Sequence, residues 1–138
     1  MEPWNGQETP PDLSAGLRLA TSLLVSYCHS AAKTAGWWPD LALETENPPL
    51  SIIGWKLALI HSEISEATEG FRKDLMDDKL PNRKMAEVEL ADALIRIFDL
   101  AGACRFNLGA ALVEKLAYNA TRADHKPENR ALAGGKKF

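Results

Sequence analysis

Helical periodicity, broken at three points, is the feature that most constrains the fold of this chain. In four segments the apolar residues recur every three or four positions, about 13–35, 51–71, 82–106 and 108–124. Asp12 is the expected N-cap of the first helix, and Pro81-Asn82 the stop and cap before the third. No segment alternates with period two, so no strand is predicted. The sequence therefore predicts an all-α fold, a four-helix bundle.

The two ends of the chain differ in composition from its centre. Residues 1–11 contain three prolines and few apolar residues, which predicts a flexible leader. From His125 the sequence turns polar and glycine-rich, so 125–138 is predicted to be a tail. Residues 12–124 are therefore predicted to form a single helical domain, because a chain of 138 residues has the typical length of one domain.

Charge, hydropathy and cysteine usage narrow the classes of partner. A net charge of −3 argues against a nucleic-acid polymer as partner. No apolar run reaches the about 18–20 residues that a membrane span needs, so no membrane partner is expected. Cys28 and Cys104 stand far apart without a CxxC pair, and the N-terminus lacks the pattern of a secretory signal. The expected location is the cytoplasm.

Acidic residues gather on one side of each of the two central helices. At 100° per residue, Glu89, Asp92, Arg96 and Asp99 share one side of the third helix. Glu63 and Glu66 share a stripe of the second helix. The predicted core faces lie elsewhere on these helices: Ile53, Leu57, Ile60, Ile64 and Phe71 on the second, and Leu90, Leu94, Ile97, Phe98 and Ala101 on the third.

Carboxylates set among large apolar residues are costly unless they are paired, hydrogen-bonded or bound to a metal. Lys56 and Arg96 are available to pair with some of them. Alternatively, two helices that each present two carboxylates one turn apart hold a hard divalent cation such as Mg²⁺. A di-iron bundle is excluded, because it requires Glu-x-x-His motifs that the chain lacks. Pairing and metal binding both stay open at this point.

Two further groups of residues are typical of nucleotide binding, and each has a plainer interpretation. Lys115, Asn119 and Arg122 form one stripe of the fourth helix, suited to a polyphosphate or simply solvated. Trp37, Trp38 and Trp55 are core or interface residues, or one of them stacks on a nucleobase.

The acidic motifs resemble a known family signature. Glu63-Ile64-Ser65-Glu66, followed after 22 residues by Glu89-Leu90-Ala91-Asp92, is similar to the ExxE…ExxD signature of the MazG-like all-α nucleoside triphosphate pyrophosphohydrolases. The flanking segments are similar too, and Lys115 to Arg122 resembles the downstream Lys-x-x-x-Asn-x-x-Arg element. The resemblance covers about residues 50–126.

The resemblance implies a four-helix bundle of the MazG-like type, an enzymatic activity and roles for the motif residues. The four acids would bind Mg²⁺, with Mn²⁺ as a substitute, and Glu63 or Glu66 would activate water. Lys115, Asn119 and Arg122, with Lys56 and Arg96, would bind the substrate and its phosphates. The reaction would cleave a (deoxy)nucleoside triphosphate into a monophosphate and pyrophosphate, which cleans or balances the nucleotide pool. The base and sugar preferred stay open.

Two other functions stay open beside this one, a non-catalytic nucleotide-binding regulator and a helical interaction module. Assembly is also predicted, because a single bundle would expose Trp55, Leu59, Ile95 or Leu100. A homodimer or homotetramer would bury such residues. In that assembly Trp37 and Trp38 are candidates to close the pocket of a second subunit.

Overall fold

The computed structural model describes residues 11–39 and 47–136, and they form an all-α protein, as predicted. The helices are α1 (Pro11–Thr34), α2 (Leu50–Lys73), α3 (Met85–Ala103), α4 (Leu108–Thr121) and the short α5 (Pro127–Arg130). A 3-10 turn, Ala123–His125, lies between α4 and α5. Within the described ranges there is no named strand, and no helix is long and apolar enough to cross a membrane. The predicted leader lies outside the described residues except for Pro11.

Several helix ends differ from the sequence prediction. Asp12 lies in the first turn of α1 rather than at its N-cap. α3 begins at Met85, and Lys84, not Asn82, is its N-cap residue. The reason is the connection before it, where the buried carboxylate of Asp77 accepts hydrogen bonds from the backbone N–H groups of Lys79 and Leu80. After this turn the chain returns alongside Met76, where the Asp77 N–H donates to the Arg83 carbonyl oxygen at 3.0 Å and Met76 pairs with Lys84 in an isolated β-bridge, so the helix begins only after residue 84.

α4 is shorter than predicted, and the tail after it is partly ordered into helix. α4 ends at Thr121 because Arg122 leaves helical geometry, with φ −71° and ψ 127°. The Arg122 guanidinium then donates to both carboxylate oxygens of Asp124, at 2.9 and 2.5 Å. Pro127 begins α5 inside the segment predicted as a polar tail, in agreement with the preference of proline for the first helical turn.

The chain divides into two compact units. The first consists of the residues up to Ser22 and those from Asn107 onward, and the second of Leu23–Phe106. In the first unit the start of α1 lies close to α4, where a Cβ at Gly109 would come within 2.8 Å of the Arg18 carbonyl oxygen. Asn107 caps α4, as its side chain accepts a hydrogen bond from Ala110 N–H at 3.0 Å.

In the second unit α2 and α3 pack through their small and acidic residues. The buried residues of α2 are Glu63, Ala67 and Gly70. The buried residues of α3 are Ala86, Glu89, Ala93, Asp99, Leu100 and Ala101. The contact is close, because a Cβ at Gly70 would lie 2.8 Å from the backbone nitrogen of Ala86. Glu63 and Glu89 are therefore buried where the two helices pack together.

The predicted core faces of these two helices are largely exposed, so that part of the prediction is wrong for the single chain. On α2, Leu57, Ile64 and Phe71 are exposed, while Ile53 and Ile60 are half-buried. On α3, Leu90, Leu94 and Ile97 are exposed, Phe98 is half-buried and only Ala101 is buried. Two packed helices bury only the sides that face each other, and here those sides are the ones whose small residues permit close approach.

A small apolar core lies at the other end of this unit. Trp38, Leu100 and Cys104 form its buried centre, and a Cβ at Gly102 would lie 2.6 Å from the Cβ of His29 on α1. The prediction that Leu100 is exposed is therefore wrong, since it faces Trp38. Trp55 and Ile95 are exposed as predicted, and Leu59 is half-buried.

Candidate metal centre and adjoining cavities

Three carboxylates meet between α2 and α3. Glu63, Glu89 and Asp92 each offer an oxygen that lies within 4.8 Å of the other two. Glu63 and Glu89 are buried, while Asp92 is exposed. Glu89 and Asp92 stand one turn apart on α3, so the helix repeat itself aims both toward Glu63. Three of the four predicted ligands are thus brought together.

The proximity of these acids changes the protonation of Glu89. Its pKa rises from 4.5 to about 7, first because burial penalises the charged form and then because of a hydrogen bond with Glu63. The negative charges of Glu66, Glu63 and Asp92 raise it further. Below about pH 7 the cluster therefore favours a proton on Glu89, and a cation bound there would take the place of that proton.

Glu66, the fourth predicted ligand, stands beside the trio. Its side chain is exposed and lines a cavity of about 550 Å³ together with Glu89 and Asp92. The opposite wall of that cavity comes from the α2–α3 connection, including Asp77, Asp78 and Lys79. Glu66 is thus close enough to act on Glu89 electrostatically while keeping its own carboxylate open to solvent.

Arg96 partly offsets the charge of the cluster. Its Nε donates to Glu63 Oε1 at 2.6 Å, and the two groups lie one on each of the packed helices. Carboxylate oxygens are the donors that Mg²⁺ prefers, and Arg96 is paired with only one of the three carboxylates. The residues present therefore fit a hard divalent cation.

A second polar network lies about two turns beyond Asp92 on α3. Buried Asp99 accepts three hydrogen bonds, from His29 Nδ1 at 2.9 Å, Trp38 Nε1 at 2.7 Å and Lys56 Nζ at 3.3 Å. Lys56 also donates to the Trp37 carbonyl oxygen at 3.2 Å and lies 4.2 Å from the centre of the Trp38 ring. Of the predicted substrate-binding residues, Lys56 is therefore held by Asp99 and Arg96 by Glu63.

A cavity of about 320 Å³ connects this network to the acids, because both Asp92 and Asp99 line it. Lys56 and Arg96 add two cations to the same wall. The remaining lining is small or apolar: Cys28, Ala31, Ala32, Ala35, Trp37, Leu59 and Ile95. The arrangement offers a charged end beside the carboxylates and a mostly apolar interior.

The three predicted tryptophans differ in their surroundings. Trp37 is 71% exposed and lines the smaller cavity. Trp38 is 3% exposed, in the core, with its indole N–H on Asp99. Trp55 is exposed on α2. Trp37 is thus the one whose face is accessible at the cavity.

The predicted phosphate-binding stripe belongs to the other unit. The ammonium of Lys115 lies 4.8 Å from the centre of the Tyr118 ring. The buried side-chain oxygen of Asn119 has no hydrogen-bond partner among the described residues. Arg122 is paired with Asp124, which also accepts from Lys136 at 2.8 Å.

Two contributors to these sites were not selected from the sequence. His29 belongs to no motif in the sequence, yet it donates to Asp99 across 70 positions of the chain. Asp77 was not singled out, although it is buried and shapes the wall opposite Glu66. The spacing of Asp77 from Pro81 is typical of a turn, but nothing in the sequence indicates which helix that turn would face.

Searches of protein-family models, of curated proteins and of solved structures found no match to this chain.

Proposed function

We propose that this protein is a Mg²⁺-dependent pyrophosphohydrolase that cleaves (deoxy)nucleoside triphosphates to a monophosphate and pyrophosphate. The observation that carries the proposal is the meeting of Glu63, Glu89 and Asp92 within 4.8 Å on two packed helices. Their spacing resembles that of the MazG-like pyrophosphohydrolases. The same resemblance supports the four-helix bundle as the complete architecture.

In this proposal the metal is held by Glu63, Glu89 and Asp92, with Glu66 beside them, and Mn²⁺ can replace Mg²⁺. The bound ion supplies charge neutralisation for the triphosphate and polarises its α-phosphorus. The support is the chemistry of the donors, all of them carboxylate oxygens that lie within 4.8 Å of one another.

Glu66 is the better placed of the two proposed general bases. Glu63 is buried, and its Oε1 is already occupied by the hydrogen bond from Arg96. Glu66 is exposed and faces the larger cavity, so one of its carboxylate oxygens can accept the proton of an attacking water. The water oxygen bonds to the α-phosphorus as the bond to the bridging oxygen breaks, and pyrophosphate leaves.

Lys115, Asn119 and Arg122 are proposed to hold the phosphates of the substrate. The free carbonyl oxygen of Asn119 is a buried acceptor that a ligand or water would satisfy. Arg122 carries Asp124 as its own counter-ion, so a phosphate would have to replace or share that contact.

The base is proposed to enter the smaller cavity. Its apolar lining and the exposed face of Trp37 suit a planar heterocycle, and Asp92 joins this cavity to the acids. The exposed tryptophan is thus a stacking residue, while Trp38 supports the wall behind it.

A homodimer, alone or as half of a tetramer, is the proposed assembly. The exposed apolar faces of α2 and α3, defined by Leu57, Ile64, Leu90 and Leu94, run along both helices of the acid-bearing pair. Contiguous apolar surface of this kind is characteristic of an interface, and a two-fold copy covers it on both chains at once. The cytoplasm, where nucleotide pools are maintained, is the proposed location.

Pyrophosphate release from a panel of nucleoside triphosphates, with Mg²⁺ or with EDTA, tests the activity. We expect stoichiometric monophosphate and pyrophosphate only with the metal, and loss of turnover in Glu89→Gln. Glu87→Gln is the matched control, because it makes the same change at an exposed position of the same helix. Nucleotide-dependent thermal stabilisation without turnover would identify a non-catalytic regulator instead. Neither binding nor turnover would leave a helical interaction module.

A further inference from the structure

The Lys56–Asp99 pair lies on the wall of the smaller cavity, whose other charged residues are Asp92 and Arg96. The Lys56 side chain is 13% exposed and that of Asp99 is 7% exposed. A buried ion pair seldom stabilises a fold more than apolar residues of similar volume would. Because the ion pair lies on the wall of the cavity, it is placed to contact a ligand that binds there.

The hydrogen-bond capacities of the two groups differ. Asp99 is committed, with His29 and Trp38 on Oδ1 and Lys56 on Oδ2. Lys56 has three N–H donors, and two of them reach acceptors, Asp99 and the Trp37 carbonyl oxygen. These two contacts, at 3.3 and 3.2 Å, position the ammonium, and its third N–H is the one that would donate to a ligand.

We infer that Lys56, held in place by Asp99, is the residue that determines base specificity, donating a hydrogen bond to an exocyclic carbonyl oxygen of the nucleobase. Since an ammonium only donates, it selects an acceptor. Uracil, thymine, cytosine and guanine carry such an oxygen, whereas adenine presents an amino group and no carbonyl. The inference rests on the proposed function for the identity of the ligand. Asp99 is a positioning residue, because it touches Lys56 and not the base.

Binding of deoxynucleoside monophosphates, measured by calorimetry in the presence of Mg²⁺, tests this without relying on turnover. The wild-type protein should bind dUMP, dCMP or dGMP about tenfold more tightly than dAMP, as expected for one charge-assisted hydrogen bond. In Lys56→Met the preference should fall to within about twofold, through weaker binding of the carbonyl bases with dAMP unchanged. Lys33→Met, an exposed lysine of α1, is the control and should keep the preference.

Removing Lys56 leaves the Asp99 charge buried, so the double variant Lys56→Met/Asp99→Asn covers the case in which the single variant does not fold. Asp99→Asn alone should reduce the preference while dAMP affinity stays the same, which a general loss of structure would not do. The base 2-aminopurine is guanine without its exocyclic oxygen. Its deoxynucleoside monophosphate should therefore bind the wild-type protein as weakly as dAMP does.

The results separate this inference from the proposed function. Equal wild-type affinity for all four bases, or a preference that survives in the folded Lys56→Met variant, would overturn the role of Lys56. If base preference depends on Lys56 but no triphosphate is hydrolysed, the role of Lys56 in base selection is supported and the pyrophosphohydrolase assignment fails.

Discussion

The two sides of the α2–α3 pair reverse the usual arrangement of a soluble protein. The side turned inward carries Glu63 and Glu89, whereas the side turned outward carries Ile64 and Leu94. Charged groups are rarely buried without partners, and large apolar residues are rarely exposed in rows. The contrast teaches that the packing within this chain positions carboxylates, while the large apolar residues of the same two helices stay exposed.

Substitution of an acid on the inward side should have the largest effect, and that effect is on turnover. Asp92→Asn removes one ligand charge with little change of volume, so we expect turnover to fall by about a thousandfold or more while the helical content is kept. Initial rates of pyrophosphate release and far-UV circular dichroism measure the two quantities. Glu87→Gln should retain its activity. Wild-type rates for Asp92→Asn in EDTA would remove the metal from the mechanism.

Substitution on the outward side should break assembly before it affects the acids. Leu94→Glu or Ile64→Glu places a charge in the proposed interface, where it cannot be buried unpaired. Sedimentation at micromolar concentration should give at least twice 15.1 kDa for the wild type and a single chain for the variants. Leu132→Glu, at an exposed position after α5, should leave the mass unchanged. A wild-type monomer with full activity would show that the apolar faces need no cover.

The inward side should also give a pH-dependent stability. The pKa of Glu89 is raised from 4.5 to about 7, so between these values the folded state keeps a proton that the unfolded state has released. In EDTA the free energy of unfolding should therefore fall as the pH rises through this window, by up to about 3 kcal/mol. Glu89→Gln cannot titrate, so the difference between variant and wild type should grow over the same range in urea unfolding. A difference that is independent of pH would contradict the shift.

Substitution of the two adjacent tryptophans should change the stability by unequal amounts, both smaller than the effects above. Trp38→Phe removes the indole N–H that donates to Asp99 at 2.7 Å, and we expect a loss of about 1.5–3 kcal/mol of stability. Trp37→Phe changes an exposed ring and should stay within about 0.5 kcal/mol. Thermal unfolding of both variants measures the difference. Equal losses would mean that the Asp99 network does not stabilise the fold.

The sequence was informative about elements and much less so about which side of each element faces inward. Helical periodicity predicts all four long helices, and the ExxE…ExxD spacing predicts the meeting of Glu63, Glu89 and Asp92. The core faces were assigned by the size of the apolar stripe, which fails because closeness of approach decides the contact here. Ala67 and Gly70, spaced along the face of Glu63, are the signal of a close helix pair that could have indicated this.

The networks that join distant segments were beyond reach from the sequence. His29, Trp38, Lys56 and Asp99 come from α1, the segment after it, α2 and α3, and none of them forms a motif with another. Likewise, the start of α3 depends on the buried turn at Asp77, which shows no helix-cap pattern. Local patterns carry local structure, whereas these contacts depend on how the helices are placed.

The alkylation rates of the two buried cysteines report on whether the smaller cavity is filled. Burial raises the pKa of both thiols, but that of Cys28, which lines the cavity, is raised further by the charge of Asp99. Only the thiolate reacts with an alkylating reagent, so labelling of the native protein is slow at both. Cys104, packed against Trp38, acts as an internal reference for global opening. The ratio of the two labelling rates, read by mass spectrometry, therefore follows the filling of the cavity in the unmodified chain, without a variant or a substrate turnover.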